Sequence, residues 1–180
     1  NWTYIEKLYS LMRRVYGWLS LVLLTFLLVA GTYFVRKPIE NSSKIEEAWI
    51  AWAVIAAAIV VDFYGKYFLN FLEGLNKIAL VRRIESYLRV GAIISNLGVL
   101  VFAPSLLNLV VSNALWLAVN LVRNYVLAHK VEEGILKQFK YRKFDKQLFS
   151  LVWSPAWRGG VSGIMNIGLT TFTGLLYAQV

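Results

Sequence analysis

The chain has 180 residues, of which 58% are hydrophobic and only 16% charged, with 19 Lys and Arg against 10 Asp and Glu for a net charge of +9. Soluble domains carry about a quarter charged residues, so this composition excludes an ordinary soluble globule, a disordered chain and a collagen-like one. In so apolar a chain (mean hydropathy +0.57) the basic surplus fits the anionic inner face of a membrane, with no nucleic-acid partner expected.

Residues 15–35 form 21 positions without a charge, stopped by Arg13 and Arg14 on one side and Arg36 and Lys37 on the other. At the helical rise this run spans about 31 Å, one hydrocarbon thickness, and it predicts a first membrane helix over 12–35. It is too long for a signal peptide, and no small-residue cleavage site follows. A second helix is expected over 46–80, opening AWIAWAVIAAAIVV and then admitting Asp62 and Lys66.

Residues 90–122 are 33 uncharged positions, about 50 Å as one helix and too long for a single crossing. Pro104 sits near the middle, and proline disfavours helix before it while suiting a new first turn. Two helices are therefore predicted, over 84–102 and 105–130. A fifth is predicted over 156–180, whose uncharged run of 22 residues reaches the last residue. The fold class is all-α: a polytopic membrane protein of about five transmembrane helices, its ends reading as those of a piece of a larger protein.

Five crossings put residues 1–14, 73–89 and 123–158 on one side, with fifteen Lys and Arg. The other side, 36–47 and the Pro104 turn, holds three. The positive-inside rule makes the richer side cytoplasmic. The stretch 123–158 is the long polar segment, and its mixture of bulky apolar and basic residues reads equally as an amphipathic helix on the membrane face or as a solvated linker.

The motifs needed for most enzyme classes are missing. With no cysteine and one histidine, His129, the chain has no disulfide framework, thiolate metal site or Cys nucleophile. It also lacks GxxxxGK[ST], GxGxxG, HExxH and GxSxG. No enzyme activity, metal or cofactor is expected.

Three sets of polar residues remain as candidates. Asp62 and Lys66, four apart, share one face of the second helix in the favourable acid-first order. Charges in hydrocarbon are costly and usually face a partner or a wet cavity. The pair therefore reads either as a cavity-lining site or as two charges that neutralise each other. On the last helix Ser162, Asn166, Thr170, Thr173 and Tyr177 form a stripe spaced 4, 4, 3 and 4, with Arg158 beside it, suited to helix packing or to a polar cavity. On the fourth helix Asn113, Trp116, Asn120 and Asn124 share a face above Arg123. Glu73/Lys77 and Glu85/Arg89 read as surface i,i+4 pairs, and the Trp residues near span ends, Trp52 among them, as interfacial anchors.

Residues 154–160, SPAWRGG, followed by TGLLYAQ at 173–179, resemble the seventh span of bacterial polysaccharide (O-antigen) flippases. These belong to the multidrug/oligosaccharidyl-lipid/polysaccharide exporter superfamily. The resemblance covers about 25 residues in motif and the rest in topology. It implies spans three to seven of an exporter-type bundle: 1–130 as a four-helix membrane portion of the first lobe, 131–155 as a basic cytoplasmic linker and 156–180 as the first span of the second lobe. It further implies a flippase in the bacterial inner membrane that moves an undecaprenyl-pyrophosphate-linked oligosaccharide by alternating access, for surface polysaccharide and lipopolysaccharide biosynthesis. Arg158 is the residue carried over from that pattern. The partners implied are the bilayer, the lipid-linked oligosaccharide and the remainder of the same protein or a second membrane subunit. Competing readings are a drug or cation antiporter of the same superfamily, for which only Asp62 qualifies as an intramembrane carboxylate, and a membrane subunit or enzyme whose polar stripes serve packing alone.

Overall fold

The computed structural model describes residues 2–131, 136, 139, 144–154 and 157, and every regular element among them is helical. The elements are α1 (Trp2–Phe26), a π-helical turn (Leu27–Gly31), α2 (Thr32–Glu40), α3 (Ile45–Gly74), α4 (Ile78–Phe102) and α5 (Leu106–Lys130). Residues 146–154 add a short helix. Four stretches, Trp2–Glu40, Ile45–Gly74, Ile78–Phe102 and Leu106–Lys130, are long and apolar enough to cross a membrane. The predicted fifth helix, over 156–180, lies outside the described residues. So does most of the linker expected at 131–155.

Three helix boundaries differ from expectation. The first helix is not confined to 12–35 but runs from Trp2 to Glu40, because nothing in its charged flanks opposes helix; even Pro38 is absorbed in the last turn of α2. Its π-helical turn leaves Thr32 Oγ1 bonded to the Leu27 carbonyl at 3.4 Å. The second helix stops at Gly74 rather than 80. Asn76 adopts φ 58°, and the Lys77 and Asn76 amides donate back to the Leu72 and Glu73 carbonyls at 3.1 and 2.9 Å. Asparagine tolerates this left-handed conformation and so ends helices much as glycine does. The next helix can then start at Ile78 instead of 84, which makes α3 and α4 a tight antiparallel hairpin. The break at Pro104 falls where the sequence puts it, between Phe102 and Leu106.

The chain divides into two compact units. One runs from Met12 to Tyr141, and the other joins the start of α1 to the segment after residue 142. In the larger unit α5 packs chiefly on α3 and α4. Two glycines allow the close approach: a Cβ on Gly65 would strike Leu121, and one on Gly91 would lie 2.6 Å from the Trp116 ring. Small residues at such crossings are the usual means of drawing membrane helices together. Leu72, Val81 and Ala128 are fully buried, whereas Ile93, Leu97, Leu100 and Val101 of α4 are exposed, an apolar surface suited to lipid. Tyr16 of α1 accepts a hydrogen bond from Asn70 of α3, and its ring lies tilted against Phe63 with centroids 5.6 Å apart. Trp52 does more than anchor: its Nε1 donates to Thr32 Oγ1 at 3.2 Å, and its ring lies against Gly31.

In the smaller unit Asp145 caps the helix at 146–154. Its Oδ1 accepts the Leu148 amide at 3.1 Å, as an N-cap aspartate should, and its Oδ2 takes Lys7 Nζ at 3.3 Å. The Leu148 amide first, and Lys7 second, hold the Asp145 carboxyl below the usual carboxylate range. Phe149, Trp153 and Trp157 stack in a row with centroids 5.3 and 6.3 Å apart.

Candidate functional site

Three helices of the larger unit line a half-open cavity of about 440 Å³. It is lined by Ile55, Asp62 and Lys66 of α3, Glu85 and Arg89 of α4, and Asn113, Trp116 and Asn120 of α5, with smaller apolar residues between them. The size is ordinary for a ligand pocket. The lining is less ordinary for helices of this hydropathy, since four charged groups and two amides meet in one place.

Helical periodicity explains why each is there. Asp62 and Lys66 lie one turn apart, and their ion pair is formed at 3.0 Å. The aspartate side chain is 20% exposed and the lysine 42%, as expected when a long aliphatic stem carries its ammonium toward water. Asn113, Trp116 and Asn120 follow the 3 and 4 spacing of one α5 face. Gly91 of α4 leaves room for the Trp116 ring to lie at the cavity wall.

Glu85 and Arg89 form the expected i,i+4 pair, with the arginine side chain 73% exposed, and in addition both line the cavity. Arg89 Nη2 donates to Glu85 Oε1 at 2.7 Å. The other carboxylate oxygen takes Arg82 Nη1 at 3.0 Å, and Arg82 Nη2 continues to Glu73 of α3 at 3.0 Å, so Glu73 also reaches beyond its own helix. The missed signal was the hairpin itself. With α3 ending at Gly74 and α4 starting at Ile78, the two acid–base pairs fall at the same height on antiparallel helices, facing one another.

One end of the cavity carries a polar seam between α4 and α5. Ser112 Oγ donates to Asn96 Oδ1 at 2.8 Å, Asn96 Nδ2 donates to Asn113 Oδ1 at 3.1 Å, and the Ser95 and Ser112 hydroxyls lie 3.3 Å apart. Asn113 thus belongs to both seam and cavity. Nearer the start of α3, Glu47 Oε1 accepts from Ser105 Oγ and from the Leu107 amide at 3.3 Å. A carboxylate from one helix thereby caps another, where the N-terminal partial charge favours an anion.

Arg123 follows Asn120 by three residues on α5 and is not among the lining residues. Its Nε and Nη2 donate to Asn124 Oδ1 at 3.1 and 2.6 Å. Its Nη1 and the Asn120 Oδ1 are buried with no hydrogen-bond partner among the described residues.

Of the residues singled out from sequence, Asp62, Lys66, Asn113 and Asn120 meet at this cavity. Arg158, Ser162, Asn166, Thr170, Thr173 and Tyr177 lie outside the described residues. Comparison of the chain with protein-family models, with curated proteins and with solved structures found no match.

Proposed function

We propose that the chain is part of a membrane transporter and that the cavity among α3, α4 and α5 lies on the path of its cargo. The observation that carries this reading is the convergence of two ion pairs, two asparagines and a tryptophan on one cavity between helices otherwise apolar enough to span a bilayer. Ionic groups on helices of this kind are costly unless they are paired or face a wet cavity. A packing role would be served better by small residues alone, as at Gly65.

The resemblance at residues 154–160 and 173–179 supplies the cargo: an undecaprenyl-pyrophosphate-linked oligosaccharide, flipped across the bacterial cytoplasmic membrane for surface polysaccharide. Hydrocarbon is prohibitive for sugars and pyrophosphate alike, so a polar path must replace their hydration. Arg158 is proposed to grip the pyrophosphate, for which its planar fork is well matched, with the stripe from Ser162 to Tyr177 continuing the path. On this reading the chain is not an enzyme and takes no cofactor, and 1–14 and 123–158 face the cytoplasm. A cation antiporter would need a carboxylate free to bind its cargo. Both cavity carboxylates, Asp62 and Glu85, are already engaged by cations.

The test is deletion of the gene in its host, with surface polysaccharide and lipid-linked oligosaccharide measured together. Loss of the first with build-up of the second, reversed by the full-length protein, supports the proposal. Unchanged surface polysaccharide overturns it. Thiol labelling of single cysteines at 42 and 138 tests orientation: 42 should react from outside the cell and 138 only from inside.

A further inference from the structure

The charges of the cavity are balanced level by level. Measured from the hairpin turn, Asp62 stands about 18 Å up α3 and Arg89 about 16 Å up α4; Lys66 and Glu85 stand at about 12 and 10 Å. Each level therefore holds one carboxylate and one cation, and each pair along a helix is closed, at 3.0 Å on α3 and 2.7 Å on α4. Among the described residues no other charged one lines the cavity. Arg123, which is not among the lining residues, is bonded to Asn124.

An ion of either sign entering such a space would meet no free counter-charge among these four groups and would have to break a pair already made. An unmet hydrogen bond points the same way. Asn120, in the lining, has no donor for its Oδ1 among the described residues. A hydroxyl is both donor and acceptor, whereas a phosphate dianion only accepts. Trp116 adds an apolar ring to the wall.

We infer that this cavity takes a part of the cargo that has no net charge and is rich in hydroxyl groups, and that it rejects anions and cations alike. The inference rests on the transport reading above and narrows it: the charged part of the cargo must be held elsewhere than among Asp62, Lys66, Glu85 and Arg89.

The absence of cysteine from the whole chain makes a direct test simple. Single cysteines at Ala58 on α3 and Ala114 on α5, both in the lining, are placed in the full chain in lipid nanodiscs. Each is reacted with three thiosulfonates of similar size, bearing a hydroxyethyl, a sulfonatoethyl or a trimethylammonioethyl group. Ser43→Cys, exposed in the turn before α3, gives the reference rate of each reagent. Val101→Cys, on the apolar outer face of α4, reports passage through lipid. Relative to the reference, the neutral reagent should label the cavity at least about tenfold faster than either charged one, given the cost of an uncompensated charge at depth. Asp62→Asn should speed the anionic reagent, and Lys66→Gln the cationic one.

A preference for either charged reagent in the otherwise unaltered cavity overturns the inference and leaves transport standing. Labelling of Val101→Cys by the neutral reagent as fast as of the cavity positions also overturns it, since lipid permeation would then explain the result. Failure of all three reagents at both lining positions means a dry packing void, and the transport reading falls with it.

Discussion

The cavity helices and the unit formed by residues 2–11 with 144–157 neutralise their carboxylates in different ways. In the cavity each is met from its own helix, Asp62 by Lys66 and Glu85 by Arg89, four residues away. In the smaller unit Asp145 is met by Lys7, 138 residues away in sequence. On the proposed membrane reading, the difference follows from what surrounds the chain before it packs. A helix entering hydrocarbon must carry its compensation with it, because no water is there to hold a bare charge until a partner arrives. A polar segment stays hydrated meanwhile, so its partner can come from anywhere in the chain.

That contrast breaks most visibly at Lys66. Lys66→Met strands Asp62, which is only 20% exposed, and should lower the stability of the folded protein in mixed micelles by about 2–3 kcal/mol. Asp62→Asn should cost less, because the freed lysine can extend toward water. The double variant should be more stable than Lys66→Met, because no charge is left unpaired. Unfolding midpoints in mixed micelles measure all three; equal midpoints would mean that the pair is fully hydrated and that depth does not govern it.

The next effect sharpens the same region. Gly91→Ala would place a methyl group against the Trp116 ring, a rigid plane that cannot yield as a leucine end can. It should cost about 1–2 kcal/mol and move the ring within the cavity. Gly65→Ala meets the flexible end of Leu121 and should cost less. Unfolding midpoints, together with tryptophan emission referenced to a Trp116→Phe variant, separate the two. Smaller again is the α4–α5 seam: Ser112→Ala removes its bond to Asn96 and should cost about 0.6 kcal/mol, the usual worth of such bonds between membrane helices.

The parts of this fold legible in sequence are those that depend on one helix at a time. Long uncharged runs mark α1, α3 and the α4–α5 stretch, and Pro104 marks the break because it acts on its own neighbours. The Asp62–Lys66 pair was legible for the same reason. What escaped depends on how helices stand beside each other. Glu85 and Arg89 look like a solvated pair until the end of α3 is set at Gly74, and that end rests on the left-handed turn at Asn76, read through as helix. The capping of α5 by Glu47 joins residues about 60 apart and has no local signature. The unpartnered atoms of Asn120 and Arg123 could be found only by accounting for every hydrogen bond.

The mildest effect lies in the other region and depends on pH. Asp145 is held below the usual carboxylate range, first by the Leu148 amide and then by Lys7. A depressed pKa means that the folded state binds the proton less readily than the unfolded one. Its contribution is therefore fully present above the ordinary aspartate value, about 3.9, and is lost as pH falls through the lower folded value. Exchange of the Leu148 and Phe149 amides, corrected for intrinsic rates, should show steady protection from pH 7 to about 5 and weaker protection below about 4. Asp145→Asn keeps a capping side chain without the charge, so its protection should not vary over that range. Added salt should trim the Asp145–Lys7 part, since both groups are partly exposed and such pairs are screened, while leaving the amide bond in place. Unchanged protection in the unaltered chain down to pH 3 would show that the cap holds without its charge. The two regions would then differ in the distance of their partners but not in their dependence on charge.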